Sequence, residues 1–224
     1  SPLVDFGLML HRVILPSNIM ITILGLSMFM TFQTIPVLAR SPAPSGFGEN
    51  AFQAANIQLP FALVFLVFGP TSGFIISKWG SIRPTVLGSM ITCAGFFALV
   101  LLHSTPIMVS ANLAVISTGL SLTNVGVMNI NMLSTPREFM GISLGMNTLF
   151  RIVGSSIGPA VAGMFMQVNR YAISSGGTTN FFPSPESYYL IFITAASVSI
   201  ASAVLAFVMR RRIKGMEARE TMMG

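Results

Sequence analysis

Six long apolar stretches dominate this sequence and constrain its fold more than any other feature. They cover residues 13–38, 52–76, 85–102, 107–133, 141–168 and 188–209, and polar segments rich in Pro, Gly and Ser or in charged residues separate most of them. A helix needs about 20 apolar residues to cross a bilayer, and each stretch is close to that length or longer. We therefore predict an all-α integral membrane protein, built as a bundle of six transmembrane helices.

The composition supports this class. Hydrophobic residues make up 53% of the chain and charged residues only 8%, whereas about a quarter of a soluble domain is charged. Because so few charges cannot cover a water-facing surface, we expect lipid to cover the outside of this protein. The single Cys93 lies inside an apolar stretch, which excludes an intrachain disulfide and a cysteine metal site. The chain shows no acid–base pair, metal-ligand cluster or nucleophile–histidine arrangement, so we predict no enzyme, no metal and no cofactor.

The distribution of cations predicts the orientation in the membrane. Six spans place both termini on one side, and that side would hold nine cations against two, Arg40 and Arg170, on the other. The nine are Arg12, Lys78, Arg83, Arg137, Arg210, Arg211, Arg212, Lys214 and Arg219. Cytoplasmic loops carry the excess of Lys and Arg, so we predict that both termini are cytoplasmic. The net charge of +6 is thus a topology signal and not a nucleic-acid patch.

The ends of the spans carry further membrane signals. Residues 1–12 are apolar but too short to span, and we predict an amphipathic interfacial lead-in there. Residues 210–224 should form a basic cytoplasmic tail that meets anionic headgroups. The aromatic residues near the span ends should act as interfacial anchors. These are Trp79, Tyr171, Tyr188 and Tyr189.

The six spans differ in polarity. The first, second, fourth and fifth carry amide or Arg side chains, and the third and sixth do not. Amides in hydrocarbon need partners or water, so the four polar spans should line an interior while the third and sixth face lipid. The candidates for lining a substrate path are Gln33, Asn124, Asn131, Asn147 and Arg151. Each of the amides could instead make a hydrogen bond between helices.

The fifth span carries the one charge that lies deep inside an apolar stretch, Arg151. Arg151 could be a cavity cation that binds an anion or pairs with a carboxylate. It could also be a structural residue that bonds a helix end or reaches for the interface. Helical periodicity places Asn147, Gly154 and Gly158 on its face, and Gly145 and Gly163 nearly opposite. These glycines could serve close helix contact or a hinge, and Pro159 should bend the helix.

Two segments resemble motifs of a known family. The segment from Gly73 through Lys78 and Gly80 to Arg83 resembles a degraded form of the loop motif that the major facilitator superfamily carries between its second and third helices, although the usual acidic residue is absent. These cations could be topology anchors or part of a gate. The pattern Gly145, Gly154, Gly158-Pro159 and Ala162-Gly163 resembles that superfamily's antiporter motif, with Ala162 in place of a glycine.

The resemblance is best to the C-terminal half of the drug/proton antiporter branch. The leading segment PLVDFGLML and the connection from Pro136 to Gly141 resemble the same branch. This resemblance implies export of a small organic solute by proton-coupled alternating access. It also implies a complementary N-terminal six-helix half in the same or a separate chain. We therefore expect this sequence to be part of a longer protein or to have such a partner. The alternative is a non-transporting subunit that scaffolds a larger membrane complex.

Overall fold

The computed structural model describes the backbone of residues 12–175 and 178–223 and the side chains of residues 12–173 and 179–213. The predicted lead-in at residues 1–12 therefore lies almost entirely outside the described residues. The elements in chain order are α1 (Ile14–Arg40), α2 (Ala51–Trp79), α3 (Ile82–Leu101), α4 (Pro106–Leu133), a 3₁₀ turn (Arg137–Phe139), α5 (Met140–Val168), β1 (Arg170–Ser175), β2 (Thr178–Pro183) and α6 (Pro185–Met223).

Six of these helices are long and apolar enough to cross a membrane. The predicted fold class, a six-helix transmembrane bundle, is therefore confirmed. Two features differ from the sequence-based expectation. The segment between α5 and α6 is not an irregular loop but a two-stranded antiparallel hairpin, in which Arg170 pairs with Pro183. The helix α6 also continues past residue 209 into the basic segment.

Local signals set several helix ends. Asn50 and Gln53 form a capping box at the start of α2, in which each side chain accepts a hydrogen bond from the other's backbone N–H, at 3.0 and 2.9 Å. Thr105 caps α4, where Pro106 occupies the first turn. The turn from α2 into α3 uses Gly80 at φ +73°. This left-handed conformation favours glycine, which explains why glycine occupies position 80 in this loop.

The helices α1 and α4 form the centre of the bundle. The helix α1 packs mainly against α5 and α6, α4 packs against α2 and α3, and α3 and α6 pack against each other. The helices α2 and α5 are the most exposed in the bundle. Each of them carries a broad face that no described helix covers. That the second and fifth spans line an interior, while the third and sixth face lipid, stays a prediction.

Small residues bring α3 and α4 close together. A methyl group on Gly119 would lie 2.5 Å from the backbone nitrogen of Thr92, and one on Gly88 would lie 2.6 Å from the Thr123 hydroxyl. Such spacing is typical of membrane helices that meet through glycine.

Serine hydroxyls join α4 to α2, since Ser117 donates to the Phe61 carbonyl at 2.8 Å and Ser110 to the Ile57 carbonyl at 3.1 Å. These contacts fix α4 as the scaffold for α2.

The hairpin is tied to the bundle at the end of α1. The Tyr171 hydroxyl donates to the Pro42 carbonyl at 3.2 Å. The hydroxyls of Tyr188 and Ser41 lie 2.8 Å apart, and Tyr188 is almost fully buried. The prediction that Tyr188 is an interfacial anchor is therefore wrong, because its hydroxyl has a protein partner inside the bundle. Tyr189 and Trp79 are exposed, as interfacial residues would be.

Candidate functional site

A cavity of about 310 Å³ lies at mid-depth between α1, α2, α4 and α5. Its walls are largely apolar and include two phenylalanine rings, and one side of the cavity carries polar groups. The lining residues are Leu24, Gly25, Met28, Phe29, Phe65, Leu120, Asn124, Arg151, Ile152 and Ser155. A mostly apolar pocket with a few convergent polar groups is the usual form of a small-molecule site.

Arg151 is the one charged residue in the cavity wall. An arginine side chain carries a positive charge and five N–H donors. No carboxylate of this chain lies within the apolar core of a span, since the six acidic residues are Asp5, Glu49, Glu138, Glu186, Glu217 and Glu220. Glu138 precedes Arg151 on the chain by about 20 Å of helix rise. Among the residues that the structure describes, Arg151 therefore has no carboxylate partner.

A seam of three glycines holds α5 against α1 at the level of the cavity. A methyl group at Gly154 would overlap the Thr22 carbonyl oxygen, and one at Gly158 would overlap the Leu26 carbonyl oxygen. On α1, a methyl group at Gly25 would lie 2.5 Å from the Arg151 carbonyl oxygen. We call Gly25, Gly154 and Gly158 the glycine seam. Because the two backbones touch there, the seam fixes the turn of α5 that carries Arg151.

Pro159 alters the hydrogen bonding of α5 beside the cavity. Proline has no N–H, so the carbonyl oxygen of Ser155 receives no helical hydrogen bond from position 159. The hydroxyl of Ser155, which lines the cavity, donates to the Ile152 carbonyl at 2.9 Å. The cavity thus offers a cation, an amide and a hydroxyl, from Arg151, Asn124 and Ser155.

A buried polar cluster lies between the cavity and the end of the bundle that carries the termini. It consists of Ser17, Asn18, Asn131, Thr135 and Ser143, all buried. The Ser17 hydroxyl contacts the Asn131 Oδ1 atom, and Asn131 Nδ2 donates to Asn18 Oδ1 at 3.3 Å. Thr135 donates to the Ser143 hydroxyl at 2.9 Å. This polar cluster joins α1, α4 and α5 through side chains of the same level.

Two amide groups near the polar cluster lack a partner among the described residues. They are the Nδ2 atoms of Asn18 and Asn147, and both side chains are buried. The parallel register of α1 and α5, in which Thr22 meets Gly154, places Asn18 about level with Asn147. A buried amide donor without a partner costs free energy. These two groups therefore favour ordered water between the cavity and the polar cluster.

The candidates from the sequence separate into three places. Asn124 and Arg151 line the cavity, and Asn131 lies in the polar cluster with Asn147 nearby. Gln33 is exposed and does not line the cavity. Gly145 and Gly163 have no atom of the described residues within 4 Å of an added methyl group, so they make no close helix contact in this bundle.

The loop residues lie at the end of α2 and the start of α3. Gly73 and Arg83 are exposed, and an added methyl group on Gly73 would meet nothing. The Lys78 ammonium lies 4.5 Å from the centre of the Phe74 ring. These positions are compatible with a topology anchor and with a gate.

Gln58 is a polar residue whose role the periodicity did not reveal. Its side-chain amide donates to the Phe32 carbonyl at 3.0 Å. Pro36 lies four residues after Phe32 and has no N–H, so the helix itself leaves that carbonyl free. A proline inside α1 together with an amide near the start of α2 was the available sequence signal for this bond.

The described residues contain no group of His, Cys, Asp and Glu that could hold a metal ion.

The fold corresponds to half of a larger membrane transporter of known structure. The chain superposes on a nucleoside transporter, NupG, with a TM-score of 0.70 and 14% identity, over 91% of this chain and 50% of that protein. At this identity the similarity shows the fold alone. No protein family model matches the chain.

Sequence relatives are larger proteins with export or resistance functions. The chain is 30% identical over 140 residues to the tetracenomycin C resistance and export protein of Streptomyces glaucescens, covering 62% of this chain and 24% of the relative. It is 25% identical over 158 residues to the multidrug resistance protein Stp of Mycobacterium tuberculosis, covering 70% of this chain and 29% of Stp. The matched part thus spans less than a third of either relative. Together with the six apolar helices, these similarities support a multi-pass membrane protein with the fold of half a transporter.

Proposed function

We propose that this chain is the C-terminal half of a drug/proton antiporter that exports a small organic solute across the cytoplasmic membrane by alternating access. The observation that carries this proposal is the mid-depth cavity with Arg151 in its wall. In transporters built from two repeated halves, the substrate site lies near the bilayer midplane between the halves. The names of the two sequence relatives favour export over uptake.

The exposed faces of α2 and α5 support a complementary half. On α2 the exposed apolar residues include Leu59, Leu63, Leu66 and Val67, and on α5 they include Leu149, Ile152, Val153 and Ile157. Both helices also border the cavity, through Phe65 and Arg151. A second six-helix half packed on these faces would close the open side of the cavity. Lipid would cover the outer faces of α3 and α6.

Proton coupling would depend on the complementary half. A proton-coupled transporter usually carries a titratable carboxylate or histidine within a span. The described part of the spans has none in its apolar cores, since Glu49, Glu138 and Glu186 lie at the helix ends or in the connections and His103 lies just after α3 ends. We therefore assign the coupling carboxylate to the other half. Mutagenesis of the intact protein that maps coupling to this chain alone would contradict the assignment.

The test has two parts. The intact mass of the native polypeptide that contains this chain should be about twice 24.0 kDa or more, because a complete transporter of this type needs both halves. Inside-out vesicles that contain the intact protein should then take up a solute, and this uptake should stop when the proton gradient is collapsed. A native polypeptide near 24.0 kDa, with no second half associated and no solute movement, would favour the scaffold alternative instead.

A further inference from the structure

The charge of Arg151 is the feature of the cavity that most restricts what can bind there. Arginine does not lose its proton in proteins, so it cannot escape the cost of an apolar site by becoming neutral. None of the carboxylates that the structure describes, those of Glu49, Glu138 and Glu186, pairs with it. A cation in a membrane span is expensive unless it faces a partner or a water-filled cavity. An anionic group bound in the cavity would provide that partner.

The polar groups around Arg151 suit the same ligand. Asn124 on α4 and Ser155 on α5 line the cavity with it. An amide N–H₂ can donate a second hydrogen bond to an oxygen anion that the guanidinium group already holds. The planar guanidinium group binds a carboxylate through two parallel hydrogen bonds, which adds geometric selectivity to charge. The backbone contact between Gly25 and Arg151 fixes the starting point of the arginine side chain.

The remaining walls of the cavity suit a flat apolar body. Phe29 and Phe65 contribute rings, and Leu24, Leu120 and Ile152 contribute aliphatic surface. Phe65 is itself supported, because its ring stacks on Phe61 at 5.9 Å between centroids. Phe61 in turn meets Phe32 edge to face at 4.8 Å. This row of rings presents Phe65 as a preformed aromatic wall, and aromatic rings favour offset or edge contacts with another ring.

From these features, and on the basis of the function proposed above, we propose that the cavity binds aromatic organic anions, with the acidic group of the solute paired to Arg151. The ring system of the solute lies between Phe29 and Phe65. The amide of Asn124 contacts the acidic group or a neighbouring oxygen. Cationic solutes are disfavoured, because this half of the cavity repels them.

The test is equilibrium binding to the purified intact transporter, measured by calorimetry. Three probes share one ring system and differ in charge: naphthoate, the neutral isostere naphthamide, and naphthylmethylammonium. We expect the wild type to bind naphthoate about tenfold more tightly than naphthamide, because a charge-assisted pair replaces a neutral hydrogen bond. Naphthylmethylammonium should bind most weakly. This comparison needs no variant, so it stands even where a substitution disturbs folding.

Variants then assign the preference to one residue. Arg151→Gln should reduce the naphthoate preference to less than about twofold, and Arg151→Lys should keep part of it because charge remains without the paired geometry. Arg40→Gln is the matched control, since Arg40 is exposed at the far end of α1 and does not line this cavity. It should leave the preference unchanged.

Four outcomes would overturn the proposal. They are no detectable naphthoate binding, equal binding of naphthoate and naphthamide by the wild type, a preference that survives in Arg151→Gln, and tightest binding of naphthylmethylammonium. The last would mean that a carboxylate of the complementary half neutralises Arg151 and sets the charge of the site. Solute uptake into vesicles is measured separately. Transport without an anion preference refutes only the substrate class, whereas an anion preference without transport refutes only the transport function.

Discussion

The carbonyl oxygen of Arg151 lies directly against Gly25, where a methyl group would approach it to 2.5 Å. The cavity cation on α5 is therefore positioned by the absence of a side chain on α1. The same seam continues at Gly154 and Gly158, whose added methyl groups would meet backbone atoms of α1 and not flexible side chains. Relief of such an overlap requires the two helices to move apart.

Substitutions in the glycine seam should destabilise the bundle. We expect Gly154→Ala to lower the free energy of unfolding by about 1–3 kcal/mol, because the overlap involves backbone that cannot rotate away. Unfolding of the purified protein with increasing SDS measures this change. Gly163→Ala on the same helix is the control, since no described atom lies within 4 Å of the added methyl. It should be neutral or stabilising by up to about 1 kcal/mol. Equal effects of the two substitutions would show that the seam is not a close contact.

The bond from Gln58 to the Phe32 carbonyl should depend on Pro36. Gln58→Leu should destabilise the protein by about 1–2 kcal/mol, because it leaves a carbonyl oxygen without a donor in the membrane. In a Pro36→Ala background the N–H of residue 36 can supply the helical hydrogen bond, so the same substitution should cost less. A double-mutant cycle measured by SDS unfolding gives the coupling free energy. A cost that is identical in both backgrounds would contradict this pairing.

Asn131 and Asn124 should respond differently to substitution, although both lie on α4. Asn131→Leu removes the partner of Ser17 and Asn18 in the polar cluster and should cost about 1–3 kcal/mol of stability. Asn124→Leu changes a half-buried cavity residue and should cost less than about 0.5 kcal/mol. Its effect should fall on solute binding instead. Unfolding and calorimetry on the same two variants separate the effects, and a reversed pattern would place the site at the polar cluster.

Two adjacent tyrosines provide a matched pair at the start of α6. Tyr188 is buried and its hydroxyl lies 2.8 Å from that of Ser41, whereas Tyr189 is exposed. Tyr188→Phe should therefore destabilise the protein by about 1 kcal/mol through the lost hydrogen bond. Tyr189→Phe should have no measurable effect on SDS unfolding. Loss of stability in the second variant alone would refute the inward placement of Tyr188.

The predicted orientation can be measured by cysteine labelling. In a Cys93→Ser background, a single cysteine replaces Phe181 on the hairpin or Trp79 at the end of α2, both exposed positions. A membrane-impermeant maleimide added to intact cells should label the Phe181→Cys protein and not the Trp79→Cys protein, because the positive side faces the cytoplasm. Inside-out vesicles should give the reverse pattern. Labelling of Trp79→Cys in intact cells would invert the topology.

Hydropathy and spacing predicted the number of spans, since each is a long apolar run that a bilayer requires. They also separated Gly154 and Gly158, which touch α1, from Gly145 and Gly163 on the other side of the helix. Periodicity describes one helix at a time, however. It could not tell that the uncovered faces would belong to α2 and α5, because that depends on which helices pack together.

The cavity was partly predictable. Arg151 stood out because a charge in a span is rare, and Asn124 stood out for its amide. Gly25 did not stand out, because its role is to make room for the backbone of α5, and the sequence of α1 does not reveal that contact. Gln33 shares the polar face of α1 yet is exposed, since it lies about one turn beyond Phe29, the last residue of α1 that lines the cavity. The hairpin was hidden because its strands are short and polar, so they lack the apolar alternation that would mark them.

The glycine seam also has a consequence for biosynthesis. The groove on α1 around Gly25 is complete as soon as α1 is made, but the helix that fills it is α5, which emerges only after three further helices. At a synthesis rate of about 5–20 residues per second, the groove stays open to lipid for on the order of ten seconds. During this interval α1 lacks its main neighbour, although Asn131 on α4, the partner of Ser17 and Asn18, is made earlier. The packing of α1 is therefore complete only after α5 is inserted with its arginine.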